Sequence, residues 1–293
     1  MHGIIYSGDF MKYLFLLCIL STLKVSLQSR FGKTSIKNAA DSVYFNCVLF
    51  FFTALVFIKD AFIASHYTIL FGVLLGLIEI SYQYFYINSL SCGSVSLTVL
   101  VINLFNVIPI LISALFYNEA LSAYRITGIV LTFISFVICT DFSFKEENSK
   151  KWFLCTLGVA SASASANVLQ KIFASSQYAL ENKAFLSWGY VFAFLFSAFL
   201  YTAQSKLKEK KSFKTSPRVF IYALGCGLLL AVYMFVNTKA LSFIPGSFFF
   251  PAYSGLSTIF TTAVGILFFK DKISTKQFIG TLVGIISLVL VNL

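Results

Sequence analysis

Ten stretches of roughly twenty predominantly apolar residues fill this chain, and they constrain its fold more than any other feature. They lie near 12–29, 42–59, 68–88, 93–117, 122–141, 152–174, 184–204, 218–238, 246–269 and 274–292, with short loops between most of them. One such run crosses a bilayer as a single α-helix. The runs are continuous rather than alternating in polarity, which argues against a β-barrel. Of the 293 residues 58% are hydrophobic and only 11% charged, more apolar surface than one water-facing core of this size encloses. The expectation is an all-α integral membrane protein with ten transmembrane helices and little chain left for a soluble domain.

Residues 115–137 and 267–289 read as two copies of one segment, 152 residues apart. Seven of the 23 positions are identical, among them Ser122/Ser274, Gly128/Gly280 and Ser135/Ser287, and Glu119/Asp271 keeps an acid in register. A duplicated helical half is a mark of carriers built from two related bundles. An odd number of spans per copy inverts the second copy against the first. The expected organisation is an N-terminal extension over 1–11, a five-helix repeat over 12–141, a linker loop over 142–151 and a second five-helix repeat over 152–293.

Lys12 precedes the first apolar run as in a signal peptide, but no small-residue cleavage site follows, so the run reads as an uncleaved helix. The six cysteines fall within or at the edges of the spans without a Cys-x-x-Cys pair, and they read as small packing residues, with no metal site expected. The net charge of +11 gathers in short loops, most densely at Lys206, Lys208, Lys210, Lys211, Lys214 and Arg218. Without exposed aromatics interleaved, this is a membrane-surface pattern and not a nucleic-acid one. The loops on the side of both termini hold six basic residues and the opposite loops fifteen, which by the positive-inside rule sets the termini outside the cytoplasm.

Glu79 stands in the middle of the third run, where a charged carboxylate costs roughly 2.5–3.5 kcal/mol and therefore faces a cavity or a partner. A carboxyl group that can be neutralised in the bilayer suits proton coupling; the alternative is a hydrogen-bonded Glu that only ties helices together. The matching stretch of the eighth helix, GLLLAVYMF, reads as apolar. Lys24, inside the first run, either pairs with Glu79, binds an anionic solute group or snorkels to the interface. Asn103 and Asn106 share a face of the fourth helix, and Ser254, Ser257 and Thr258 a face of the ninth, with Tyr253 and Pro251 alongside. These faces suit either the walls of a cavity or interhelical packing. Tyr82 and Tyr86 follow Glu79 on its face, with Tyr84 and Tyr86 read as an interfacial belt. Gly72-x-x-x-Gly76, Gly280-x-x-x-Gly284 and Ser161–Ala166 mark close helix contacts.

With these residues the chain resembles the drug/metabolite transporter superfamily, EamA-type branch. The resemblance rests on Glu119-Ala-Leu-Ser with Gly128, on Asp271-Lys-Ile-Ser with Gly280, on Leu20-Ser-Thr-Leu-Lys24 and on Asn167-Val-Leu-Gln-Lys171. The chain departs from the family pattern in having Asn106 where a proline is usual, no Arg at the start of the second helix, and an acid at Glu79. The resemblance implies both termini in the cytoplasm, against the charge count. It also implies a multi-pass plasma (inner) membrane carrier and not an enzyme: no histidine cluster, paired carboxylates or ATP-binding loop appears. The expected activity is secondary-active export of a small organic metabolite or drug by alternating access. Uptake or exchange of a sugar-like or nucleotide-linked solute is the second reading, and an intramembrane enzyme the third. Glu79, Lys24, Tyr82, Asn103, Asn106, Tyr253 and Thr258 are the expected site, and no cofactor is expected. Expected partners are the solute, protons or another coupling ion, and membrane lipids. The oligomeric state is left open.

Overall fold

The computed structural model describes residues 7–34, 39–116, 122–139, 147–207, 217–271 and 274–291; Glu119 and most of the lysine-rich loop lie outside them. Eleven α-helices occur among the described residues, and no strand. In order they are α1 (Ser7–Thr34), α2 (Ala39–Phe57), α3 (His66–Cys92), α4 (Val95–Leu104), α5 (Val107–Phe116), α6 (Ala123–Cys139), α7 (Glu147–Ala174), α8 (Asn182–Leu207), α9 (Pro217–Leu241), α10 (Gly246–Phe269) and α11 (Thr275–Val291). Short 3-10 helices at Ile58–Ile63 and Ala179–Glu181 follow α2 and precede α8. Helix α1 begins at Ser7, inside the stretch expected as an extension. In lipid the backbone can satisfy itself only within helices or a closed barrel, so a chain this apolar takes helices throughout.

Eight segments are long and apolar enough to cross a membrane, with α4 and the start of α5 counting as one, Val95–Ser113. Helices α6 and α11, at 17 residues each, are the two short ones.

The fourth expected helix is not continuous. Helix α4 ends at Leu104 and α5 begins at Val107, and the cause is Pro109. Proline lacks the N–H that would bond to Phe105, and its ring crowds the carbonyl four residues back. The chain tightens instead, with Asn106 N–H on the Asn103 carbonyl at 3.1 Å and Ile108 N–H on the Phe105 carbonyl at 3.0 Å. The turn leaves Asn106 at a bend in mid-bundle.

Helix pairing follows the small residues. Helix α3 presses Gly72 and Gly76 against α8, where the position of a Cβ on Gly76 is 2.6 Å from the Gly189 carbonyl oxygen. Helix α6 packs on α11, with Ser135 Oγ donating to the Gly280 carbonyl at 2.7 Å. Helix α2 rests on α8 and α9, α1 on α9 and α10, and α4 with α5 on α10. The outer faces carry apolar side chains, as at Ile126, Val130 and Ile134 of α6, which suits lipid and not water.

Candidate functional site

A cavity of about 70 Å³ lies in the middle of the bundle, walled by α1, α3, α4, α7, α9 and α10. Glu79, Lys24, Tyr82, Asn103, Asn106 and Tyr253 all line it. Thr258, the seventh expected residue, sits behind the wall, accepting from Asn103 Nδ2 at 2.9 Å.

Lys24 does not snorkel. It is 5% exposed, and its Nζ lies 5.4 Å from the centre of the Tyr82 ring and 5.5 Å from that of Tyr233. Two aromatic faces thus offset part of the cost of burying the cation. Glu79 is 4% exposed, and its Oε2 has no hydrogen-bond partner. Lys24 lies close enough for its charge to act on Glu79, yet no ion pair within 4.0 Å joins them. Both charges therefore face the cavity unspent.

Amide side chains tie the walls together. Asn103 Nδ2 also approaches Ser257 Oγ at 3.3 Å, and Asn106 Nδ2 donates to Ser254 Oγ at 2.6 Å. Asn167 on α7 donates to Asn106 Oδ1 at 2.8 Å, so the bend at Asn106 bridges α7 and α10. Gln170 Oε1 accepts from Asn237 and Thr238 of α9, each at 2.9 Å. The alternatives of cavity wall and packing thus hold together: Asn103 and Asn106 do both.

Two expectations need correction. Tyr86 is not part of an interfacial belt: it is 1% exposed, stacks on Tyr82 with ring centres 5.2 Å apart, and lines the cavity. Tyr84, at 51% exposed, points outward as a belt residue does. The eighth predicted helix, now α9, is not wholly apolar on its inner face. Tyr233 donates its hydroxyl to Tyr253 at 3.1 Å and helps enclose Lys24. Tyr233, Asn167, Gln170 and Asn237 were not among the expected site residues. The usable signal was their polarity in mid-run, once the face of each helix was known.

At each end of the bundle an acid is set on a helix start. At the end where α4 begins, Asp271 Oδ2 accepts from Ser94 Oγ at 2.9 Å, from Ser96 N–H at 3.0 Å and from Ser96 Oγ at 3.0 Å. Its other oxygen is 3.5 Å from Lys33 Nζ, and the carboxylate side chain is 3% exposed. A negative charge at unpaired N–H groups is favourable. At the opposite end Glu181 Oε2 accepts from Ser65 N–H at 2.8 Å and Ser65 Oγ at 2.9 Å, at the start of α3. Asp271→Ala should cost about 1–3 kcal/mol by leaving these donors unpaired. Thermal unfolding in detergent checks it, and an unchanged midpoint would mean that the contact carries no stability.

A bundle that spans the bilayer many times and spends its buried charges on a central cavity is built to pass a polar solute through lipid. The class is a multi-pass membrane transporter of small solutes. The model of the EamA-like transporter family matches residues 150–293. A multidrug resistance protein EbrA of Bacillus licheniformis is 30% identical over 105 residues, which is 96% of that protein and 36% of this chain. The EbrA of Bacillus subtilis (strain 168) is 37% identical over 82 residues, 71% of that protein and 28% of this chain. A crystal structure of a protein 14% identical to this chain superposes with a TM-score of 0.61, covering 94% of this chain and 98% of that one, a likeness of fold. The chain belongs to the EamA-like transporter family, as a multi-pass integral protein of the plasma membrane.

Proposed function

We propose that this protein is a secondary-active exporter of a small organic metabolite or drug. It works by alternating access of two inverted five-helix halves, 12–141 and 152–293, about the central cavity, with 142–151 as their linker. The observation that carries the reading is that Lys24 and Glu79, both buried and not ion-paired with each other, line one cavity among the spans. Groups that are costly to bury and left without partners are held for a solute or an ion. Glu79 is the coupling group, protonated in one loading state and ionised in the other. Lys24, Tyr82, Asn103, Asn106 and Tyr253 contact the solute, and Thr258 holds Asn103 in place.

Further observations support this. The cavity, at about 70 Å³, is far below the roughly 300–1,000 Å³ of ordinary ligand pockets, so a solute enters only when one end opens. The ten-span count adds α6 and α11 to the eight longer segments; these two short helices pack on each other, which suits a pair crossing side by side. A relative matched over nearly its whole length by about a third of this chain also suits an architecture made of repeated small bundles.

The test is uptake and efflux of a solute panel in proteoliposomes holding the purified protein, with and without an imposed pH gradient. Saturable flux of at least one solute above protein-free vesicles, accelerated by the gradient, is expected. Chemical conversion of a solute, or flux no greater than that of empty vesicles across the panel, overturns the reading.

A further inference from the structure

We propose that the solute carries a single carboxylate that seats on Lys24, and that each solute crosses with one proton on Glu79. This rests on the carrier reading above and names the substrate class and the stoichiometry of that same site.

The argument is one of charge balance. Lys24 presents its ammonium to the cavity from between the rings of Tyr82 and Tyr233, without a hydrogen bond or an ion pair among the described residues. Those two faces are the favourable places for a cation, and Lys24 already holds them. A cationic solute would meet like charge there. A carboxylate meets one ammonium, with the Asn167 amide and the hydroxyls of Tyr82 and Tyr86 in the same cavity. The one ammonium that lines the cavity matches one negative charge, and a phosphate or diphosphate would bring more than Lys24 neutralises.

Glu79 completes the balance. The titratable groups near these two are Tyr82 and Tyr86 on α3, Tyr190 from α8, Tyr233 and Cys226 from α9, and Tyr253 from α10. In the empty carrier the Lys24 ammonium and the Glu79 carboxylate sum to zero, and the cavity holds no net charge. When a solute carboxylate occupies Lys24, the cavity would hold an excess negative charge unless Glu79 takes up a proton from water at the open end. With Glu79 neutral the loaded cavity again sums to zero. At the far side the proton returns to water and the solute leaves, so the carboxylate is restored. The closed bundle crosses only in these two neutral states, because an unbalanced charge within lipid is costly. The cycle moves one anion and one proton together and no net charge. Export then proceeds when the solute's outward gradient exceeds the opposing proton gradient.

The experiment compares membrane-impermeant probes in proteoliposomes: gluconate as monoanion, glucitol as neutral, choline as cation and serine as zwitterion. A pH dye reads proton movement, and a potassium diffusion potential set with valinomycin reads charge. Gluconate is expected to move with one proton per molecule, at a rate unaffected by the potential. Its equilibrium accumulation should rise about tenfold per pH unit imposed, as one coupled proton requires. Lys24→Gln should lower gluconate flux by about 100-fold, the scale of losing a buried charge-assisted contact, and Lys24→Arg should restore part of it. Thermal unfolding of each variant separates loss of binding from loss of fold, and the proton count and potential independence of the wild type stand whether or not a variant folds. Flux confined to choline, glucitol or serine, gluconate flux driven by the potential, or a folded Lys24→Gln protein with full gluconate flux overturns the proposal and leaves the carrier reading intact. No flux of any probe counts against both.

Discussion

Glu79→Gln is expected to reduce gradient-driven solute accumulation by at least about 100-fold, while exchange of the same solute between equal pools stays within a few-fold of wild type. Glutamine has the shape of a protonated glutamate and cannot lose the proton. The substituted cavity should keep its packing, since Glu79 Oε2 makes no hydrogen bond that the amide would lose. What disappears is the ionised state that returns the empty carrier with Lys24 neutralised. The measurement is accumulation against an imposed pH gradient in proteoliposomes, next to counterflow of labelled solute. Full gradient-driven accumulation by the variant would remove Glu79 from the coupling step. Loss of counterflow to the same degree would make it a binding residue only.

Gly76→Val should be the most damaging single change to the fold. A Cβ at this position stands 2.6 Å from the Gly189 carbonyl oxygen and 3.2 Å from Phe192 Cβ, so α3 must move away from the backbone of α8. Overpacking of this kind costs about 1–3 kcal/mol, at the upper end where the obstacle is main chain. The shift also displaces Glu79, which is less than one turn further along α3. Gly225→Ala is the control: its Cβ would meet only Leu27 Cδ1, at an ordinary 3.5 Å. Fluorescence-detected size exclusion and thermal unfolding should show Gly76→Val aggregated or melting well below the wild type, with Gly225→Ala unaffected. A monodisperse Gly76→Val protein with wild-type melting would mean that the α3–α8 contact tolerates a wider spacing.

Much of the site was legible in the chain because charges stand out against hydrocarbon. Glu79 and Lys24 could be singled out from their position alone, since neither belongs in lipid without a reason. Asn103 and Asn106 showed themselves by their spacing on one helix face. What was not legible is equally specific. Pro109 lies only three residues past Asn106, and a proline can break a helix or merely bend it; here it breaks the run, and α4 and α5 each pack on α10. Tyr86 and Tyr84 are two residues apart and alike in sequence; one is buried and the other faces out only because α3 turns one side toward α1. Tyr233 sat in a run that looked apolar, and its hydroxyl gained meaning from Tyr253, twenty residues on.

Taken by itself, the sequence determined that this chain is a bundle of membrane-spanning helices and which buried charges demand an explanation. Those are local consequences: every peptide group in lipid must bond within its own segment, and every ionised group there carries its own cost. Only the tertiary structure decided that Lys24 and Glu79 share one cavity without touching, that tyrosine rings from α3 and α9 enclose the cation, and that Asn106 bridges α7 and α10. A lipid-facing helix is apolar on nearly all sides, so hydrophobic periodicity does not tell which face turns inward. That choice depends on close packing between segments far apart in the chain, as where Gly72 and Gly76 bring α3 against α8.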